Sequence, residues 1–278
     1  MGLAADVLDS LYRACAGLAL PRVRALHLPP APWNGSKDGE FAALELEDGS
    51  LGLSYVLLDG ALAALASGGQ SEDAAGADPL EIARWWTGPP GARRTIGFAA
   101  VNALTRHFFD RAAFVPPRAA DSIGGLAPRA GEHVGMVGLF PPLLHQVTAC
   151  GARLTVLELK AELAGDRPGY RVTLDPGELE SCEKVLATST VLLNDTVDEV
   201  LAHCRRARAL AMIGPGAGCL PDVLYERGVT LVGGTWIENP EGFKRALTAG
   251  APWGTYARKF ALAPRDYPGV DALRARTA

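Results

Sequence analysis

Several features are scarce in this 278-residue chain, and each absence excludes something. No apolar run reaches the ~20 residues that a membrane-spanning helix needs. Asp6, Asp9 and Arg13 interrupt the first twenty positions, so no secretory signal is expected there. The cysteines, Cys15, Cys150, Cys182, Cys204 and Cys219, are odd in number and form no CxxC, which argues against a disulfide framework and for a reduced, cytoplasmic compartment. The chain has no GxxxxGK[ST] phosphate loop, no GxSxG elbow and no His/Cys/Asp group at zinc spacing. Neither sign of charge dominates: the net charge is −4, so neither nucleic acid nor an anionic membrane is an expected partner.

What is present reads as a globular α/β protein, with 48% apolar and 21% charged residues. Leu8, Leu11, Cys15 and Leu18 repeat at helical spacing and predict an amphipathic helix over 4–19, stopped by Pro21. Strands are expected at 23–28, 40–47 and 50–57, the last two joined by Asp48-Gly49, a strong hairpin signal. A small, polar surface loop is expected from Ser67 to Gly76. Asp78 as cap, Pro79 at the first position and Gly88 at the end mark a second helix. A third helix is expected over 94–109, where Gly97, Ala99, Ala100 and Ala103 would let another backbone approach closely. Trp85 and Trp86 read as packing residues.

From about Asp121 strands alternate with helical patterns, the rhythm of a parallel sheet covered by helices. Strands are expected at 133–138, 153–159, 184–188, 208–214 and 229–233. The segment FVPPRAADSIGG (114–125) has linker composition and suggests domains of 1–115 and 116–278. Open parallel sheets bind ligands beyond the carboxyl ends of their strands. The residues of interest are therefore Gly138 to Pro142, Glu158 and Lys160, Thr188-Ser189-Thr190, Gly214 to Gly218, and Gly233-Gly234-Thr235.

Each motif admits two readings. GMVG (135–138) with Glu158 at the next strand end fits a dinucleotide or adenosyl site, or a glycine-softened strand with a surface acid. Thr196-x-x-Glu199 is a capping box, which leaves Asn194 free for a polar pocket wall with Thr188. GPGAG (214–218) before a helix is an anion cradle of free N–H groups or a tight turn. Cys219 is a buried inert thiol, a metal ligand or a nucleophile, and Cys204 belongs to an apolar stripe. His145 and Cys150 fall on different helix faces, a poor chelate, and His133 opens a strand at the end away from chemistry.

Taken together, TIGFAAVNAL (95–104), GMVGLFPPL (135–143), LTVLEL (154–159), TSTVLLNDTVDEVL (188–201) and MIGPGAGCLPDVLYERGVTLVGG (212–234) resemble one family of uncharacterised bacterial and archaeal proteins, carried as "putative heavy-metal chelation" (DUF364, with a DUF4213-type N-terminal domain). The resemblance implies an α+β enolase N-terminal-like domain followed by a Rossmann-like parallel-sheet domain, with a ligand cleft between them. It implies that Asn102 faces this cleft from the first domain, and that Phe140, Pro141, Glu158, Thr188, Asn194, Gly214 and Pro215 line it from the second. One departure matters: the family often carries a hydroxyl residue after Gly-Pro, where this chain has Gly216 and Ala217, so backbone N–H groups would have to hold any oxyanion. The implied ligand is a metal ion or a metal chelate, and oxygen donors suit hard ions better than soft ones. The alternatives are an enzyme using NAD or S-adenosylmethionine, and a non-catalytic interaction module. Homo-oligomerisation stays open.

Overall fold

A computed structural model describes residues 2–69, 73–121, 123 and 125–277. Part of the expected 67–76 loop and two positions of the 114–125 linker therefore lie outside the described residues.

The first apolar stripe forms α1 (Leu3–Cys15), with Leu3, Val7, Leu8, Leu11 and Cys15 buried. It ends four residues short of expectation, ahead of Gly17, whose φ of +81° leaves the helical region well before Pro21 acts. Strands β1 (Val23–His27), β2 (Phe41–Leu46) and β3 (Leu51–Tyr55) form an antiparallel sheet in the order β1-β2-β3. Asp48-Gly49 makes the β2–β3 turn as read, with Gly49 at φ +89°. Helix α2 (Ala61–Ala66) follows; α3 (Pro79–Ala83) is capped by Asp78, whose carboxylate accepts from Leu80 N, and runs on as a 3-10 turn over Arg84–Thr87.

The long helix α4 (Ala92–Arg111) is buried on nearly every side, which is why it lacks a clear amphipathic stripe. Its small residues work as expected. A Cβ on Gly52 of β3 would lie 2.1 Å from Ala103 N, and one on Gly97 would lie 2.3 Å from Trp86 N, so both contacts are backbone on backbone. The β2–β3 turn is tied to the same helix by Asp48, 2.6 Å from His107 Nδ1. Burial raises the Asp48 carboxyl, but bonds from His107 and Ser50 outweigh it and hold the group below the usual carboxylate range.

The second sheet contains β4 (His133–Val137), β5 (Arg153–Leu157), β6 (Gly165–Arg167), β7 (Tyr170–Thr173), β8 (Lys184–Thr188), β9 (Ala209–Ile213), β10 (Leu231–Ile237) and β11 (Ala257–Leu262). Their order is β11-β10-β9-β8-β4-β5-β7-β6; only β6 and β11, at the two edges, are antiparallel to their neighbours. The order reverses between β4 and β8, where the chain leaves one half of the sheet for the other. Helices α5 (Pro141–Thr148), α6 (Val197–His203), α7 (Asp222–Glu226), α8 (Pro240–Thr248) and α9 (Val270–Arg274) complete the chain.

The structure departs from the sequence reading, or adds to it, at three places. The Gly165–Thr173 stretch is a hairpin turning at Pro168-Gly169, not part of a helical crossover. β10 starts at Leu231 rather than Val229 and runs through Gly233-Gly234-Thr235, so these lie inside the strand rather than beyond it. β11 was not foreseen; it pairs with all of β10 from Val232 to Ile237.

Hydrophobic burial joins the two sheets. Phe41, Ala43, Leu51 and Leu53 of the small sheet pack with Ile237, Phe243, Leu247 and Trp253. On its other face, Ala42, Leu44 and Leu46 share one core with Phe98 and Leu104 of α4 and with Val185 and Leu224 from the larger sheet and its helices. β2 is thus buried on both faces and reads FAALEL without strict alternation.

Candidate functional site

The site is built where β3 and α4 meet β10 and the loop after β9. Asn102 sits mid-helix on α4 and is 4% exposed. Its Nδ2 donates to Leu53 O at 2.7 Å and to Gly216 O at 3.0 Å. Two carbonyl acceptors fix the amide orientation, because the oxygen in their place would face two lone pairs. Asn102 Oδ1 is left buried with no hydrogen-bond partner. It lies beside Gly218, where a Cβ would come within 3.4 Å of it.

This corner opens into a slot of about 30 Å³ lined by Leu53, Asn102, Arg106, Pro215, Gly218 and Trp236, among others. The volume admits one water-sized group. Arg106, one turn beyond Asn102, stacks its guanidinium 3.8 Å from the centre of the Trp236 ring and donates to Ile237 O. Sequence reasoning missed Arg106 and Trp236. Their signals were a four-residue step from Asn102 along one helix face and a strand continuing past Thr235.

The loop GPGAG is a close-packed turn. Gly214 has φ +150°, and a Cβ there would overlap Ser189 Oγ at 2.2 Å. Gly216 lies against Phe98, Ser189 and Leu53 O, so the glycines let this loop seat against the small sheet and α4. The helix behind it, α7, has only five residues, and the Asp222 carboxylate at its start accepts from Tyr267 Oη and Val270 N. The loop makes the tight turn that one of the two readings expects.

The other expected site residues line the carboxyl edge at the order reversal. Gly138 packs against Thr188, where a Cβ would meet Thr188 Cγ2 at 3.0 Å. Glu158 does not project as a free acid: its Oε1 accepts from Leu139 N at 2.6 Å and its Oε2 from Leu159 N at 3.2 Å. Phe140 caps α5 through its carbonyl, which accepts from Leu143 N and Leu144 N, and Pro141 takes the first helical position. Thr188 Oγ1 accepts from Thr190 N and donates to Thr190 Oγ1.

Asn194 and Thr196 exchange the roles read from sequence. Asn194 Oδ1 accepts from Thr196 N at 3.3 Å and from Thr196 Oγ1 at 2.7 Å, while Thr196 makes no side-chain cap. Asn194 is therefore the turn-forming residue. Its segment docks on the small-sheet side: Arg94 Nη1 is 2.7 Å from Asp195 Oδ2 and donates to Leu193 O, and Trp86 Nε1 donates to Leu192 O.

Metal-ligating chemistry is thin. Among the described residues no group of three His, Cys, Asp or Glu stands close enough together to hold an ion. Burial pushes the Cys15, Cys182, Cys204 and Cys219 thiols up to about 12, so at neutral pH they remain protonated and poor ligands. A thiolate site for a soft metal does not fit these residues.

The architecture defines a mixed α/β protein with a parallel-dominated sheet. The chain belongs to the DUF364 family, described as "Putative heavy-metal chelation", whose profile matches residues 124–264. Two solved DUF364 structures of unknown function share the fold: one from Pyrococcus horikoshii (17% identity, TM-score 0.67, covering 94% of this chain and 100% of that one) and one from Desulfitobacterium hafniense (18%, 0.68, 94% and 98%). An uncharacterized protein of Methanocaldococcus jannaschii is 28% identical over 157 residues, 52% of this chain. The chain spans about half the length of that curated relative, 54% of it.

Proposed function

We propose that this protein binds a small polar molecule, a metal chelate or the organic chelator itself, in a cleft between an enolase N-terminal-like domain (1–115) and a Rossmann-like domain (116–278). The strand order β7-β5-β4-β8-β9-β10 supports the second assignment, because it is the order of doubly wound dinucleotide-binding sheets. The β1-β2-β3 sheet, followed by helices, supports the first. The observation that carries the reading is the buried, unpartnered Asn102 Oδ1, an acceptor on a residue that lines a slot with room for one donor group of a ligand. Gly214 and Pro215 complete that end of the cleft. Phe140, Pro141, Glu158 and Thr188 would form its other end, and Asn194 would shape the wall without touching the ligand. A ligand presenting an N–H or O–H to Asn102 suits the donor set better than a bare soft ion. The free cysteines support a reducing, cytoplasmic setting.

The geometry favours this reading over an NAD or S-adenosylmethionine site. In such sites backbone N–H groups after the first strand hold the phosphates or ribose. Here Leu139 N is bonded to Glu158, and Pro141 and Pro142 have no N–H to offer.

The test is a thermal-shift panel on chelator-stripped protein: divalent metals alone, the same metals as citrate chelates, NAD and S-adenosylmethionine. A ligand at ~100 times its Kd adds about 2.7 kcal/mol, a shift of several degrees. The expected result is a shift with a chelate that disappears in Gly218→Ala, whose methyl would lie 3.3–3.4 Å from Asn102 Cγ, Cβ and Oδ1 and narrow the slot there. An equal shift in wild type and variant would place the ligand elsewhere and sink the proposal.

A further inference from the structure

The larger sheet carries a second cavity at its opposite, amino-terminal edge. It measures about 560 Å³ and is lined by His133, Arg153, Thr155, Arg167, Arg171 and Ser181, among others. The volume lies within the range of ~300–1,000 Å³ typical of small-molecule sites. Its position follows from topology. His133↔Arg153 and Thr155↔Arg171 are cross-strand pairs on one face of β4, β5 and β7, while Val134, Leu154, Val156 and Val172 turn to the opposite, apolar face. The connection from β7 to β8 holds only a six-residue 3-10 turn, Pro176–Ser181, where a full crossover helix would otherwise cover this face. The β5/β7 end of the polar face is left open. His133 opens β4, about 13 Å along the strand from its carboxyl end, and the cavity shares no lining residue with the Asn102 slot.

The charges in the cavity are unevenly matched. Arg171 is paired, 3.2 Å from Glu178 and 3.6 Å from Asp166, so both carboxylates of the cavity are committed to it. Glu178 also accepts from Thr173 Oγ1. Arg153 and Arg167 have no carboxylate partner among the described residues. Arg167 donates only to the carbonyls of Asp166 and Leu163. Arg153 Nη2 donates to His133 Nδ1 at 2.8 Å. His133 Nδ1 also has Ser181 Oγ at 3.1 Å and Ser181 O at 3.2 Å, and Nε2 faces Thr155 Oγ1 at 2.8 Å. Burial and then the Arg153 charge push the imidazole below its usual range, which keeps it neutral. A guanidinium resting on a neutral imidazole, beside hydroxyls and a second unpaired guanidinium, retains its full charge and several unused donors.

We infer that this cavity is a binding site for a small oxyanion-bearing molecule, a phosphate or a carboxylate, with Arg153 and Arg167 as its charged donors and Thr155 and Ser181 at its wall. His133 orients Arg153 from behind. The sequence reading set His133 aside because it stands at the strand end away from the expected chemistry; the structure gives that end its own pocket.

The experiment is calorimetric titration of the full chain with inorganic phosphate, ribose 5-phosphate and citrate, each against chloride at matched ionic strength. Saturable binding of at least one is expected. Phosphate or ribose 5-phosphate would identify a phosphoryl ligand, and citrate alone a carboxylate. Arg153→Gln and Arg167→Gln should each weaken it about tenfold or more, and Arg153→Lys should recover part of the loss. Arg167→Gln guards against a folding defect, since that side chain bonds only to nearby carbonyls. Gly218→Ala, in the cleft, should leave the isotherm unchanged. The inference fails if none of the three anions binds saturably. It fails equally if the Arg153→Gln/Arg167→Gln double variant binds as wild type, or if Gly218→Ala abolishes binding.

Discussion

Asn102 and Gly216 stand 114 positions apart, and the side-chain Nδ2 of one donates to the carbonyl of the other at 3.0 Å. The same nitrogen reaches Leu53 O at 2.7 Å, so one amide links helix α4, strand β3 and the loop after β9. That link is structural. Its by-product is the orphaned Oδ1, buried with no hydrogen-bond partner.

Asn102→Ala should therefore lower stability. It leaves the Leu53 and Gly216 carbonyls buried without a donor, at about 1–3 kcal/mol each. A fall in Tm of roughly 5–10 °C is expected, and Asn102→Asp at neutral pH should fall further because it turns a carboxylate toward two carbonyl oxygens. Thermal melts of the three proteins check this; an unchanged Tm in the alanine variant would mean that the amide carries no load across the three elements.

Two glycine substitutions should separate steric cost from backbone strain. At Gly52 a methyl would collide with the Ala103 and Ala99 backbone, which cannot yield, so Gly52→Ala should lose more than about 3 kcal/mol or fail to fold. At Gly17 nothing lies within 4 Å and only the φ of +81° resists, so Gly17→Ala should lose about 1 kcal/mol. Urea titrations of both rank the two effects.

The contrast between these glycines also shows what the sequence could reveal. Local signals were legible: Asp48-Gly49 makes its turn, Asp78 its cap, and the small residues of α4 admit neighbouring backbones. Strand Lys184–Thr188 lies where its apolar run placed it. What failed depended on partners distant in sequence. Asn194 and Thr196 are both competent cap residues two positions apart, and the choice between them follows from how residues 192–195 dock on Arg94 and Trp86. Glu158 looked like a free acid because no pattern shows that the Leu139 N–H stands 2.6 Å away. The edge strand β11 has its register set by β10, and its half-exposed sequence carries little periodicity of its own.

Acid should weaken this fold in part through Glu132. Its hydrogen bond from Lys184 at 2.8 Å is the largest influence; it outweighs burial, and with Arg129 N and Arg208 it holds the carboxyl down to about 2. The folded value lies below the unfolded one of about 4.3, so this contribution is present above pH ~4.3 and is lost as pH falls toward 2. Glu132→Gln should be less stable than wild type at pH 7, and the gap should close between pH 4.5 and 2. A gap that holds constant across that range would show that the Glu132 charge contributes nothing.

Thiol reactivity tests the metal chemistry directly. Four of the five cysteines are buried, and burial pushes their thiols up to about 12; Cys150 alone is half-buried, on the turn after α5. With an aromatic disulfide reagent at pH 8, one thiol per chain should react within minutes in the native state and all five in urea. Cadmium should likewise find no multi-thiolate site, because each buried thiol must first lose a proton that burial retains. If two or more thiols reacted rapidly in the native protein, or if cadmium protected several at once, soft-metal chelation by the chain itself would replace recognition of an oxygen-rich chelate as the reading of this site.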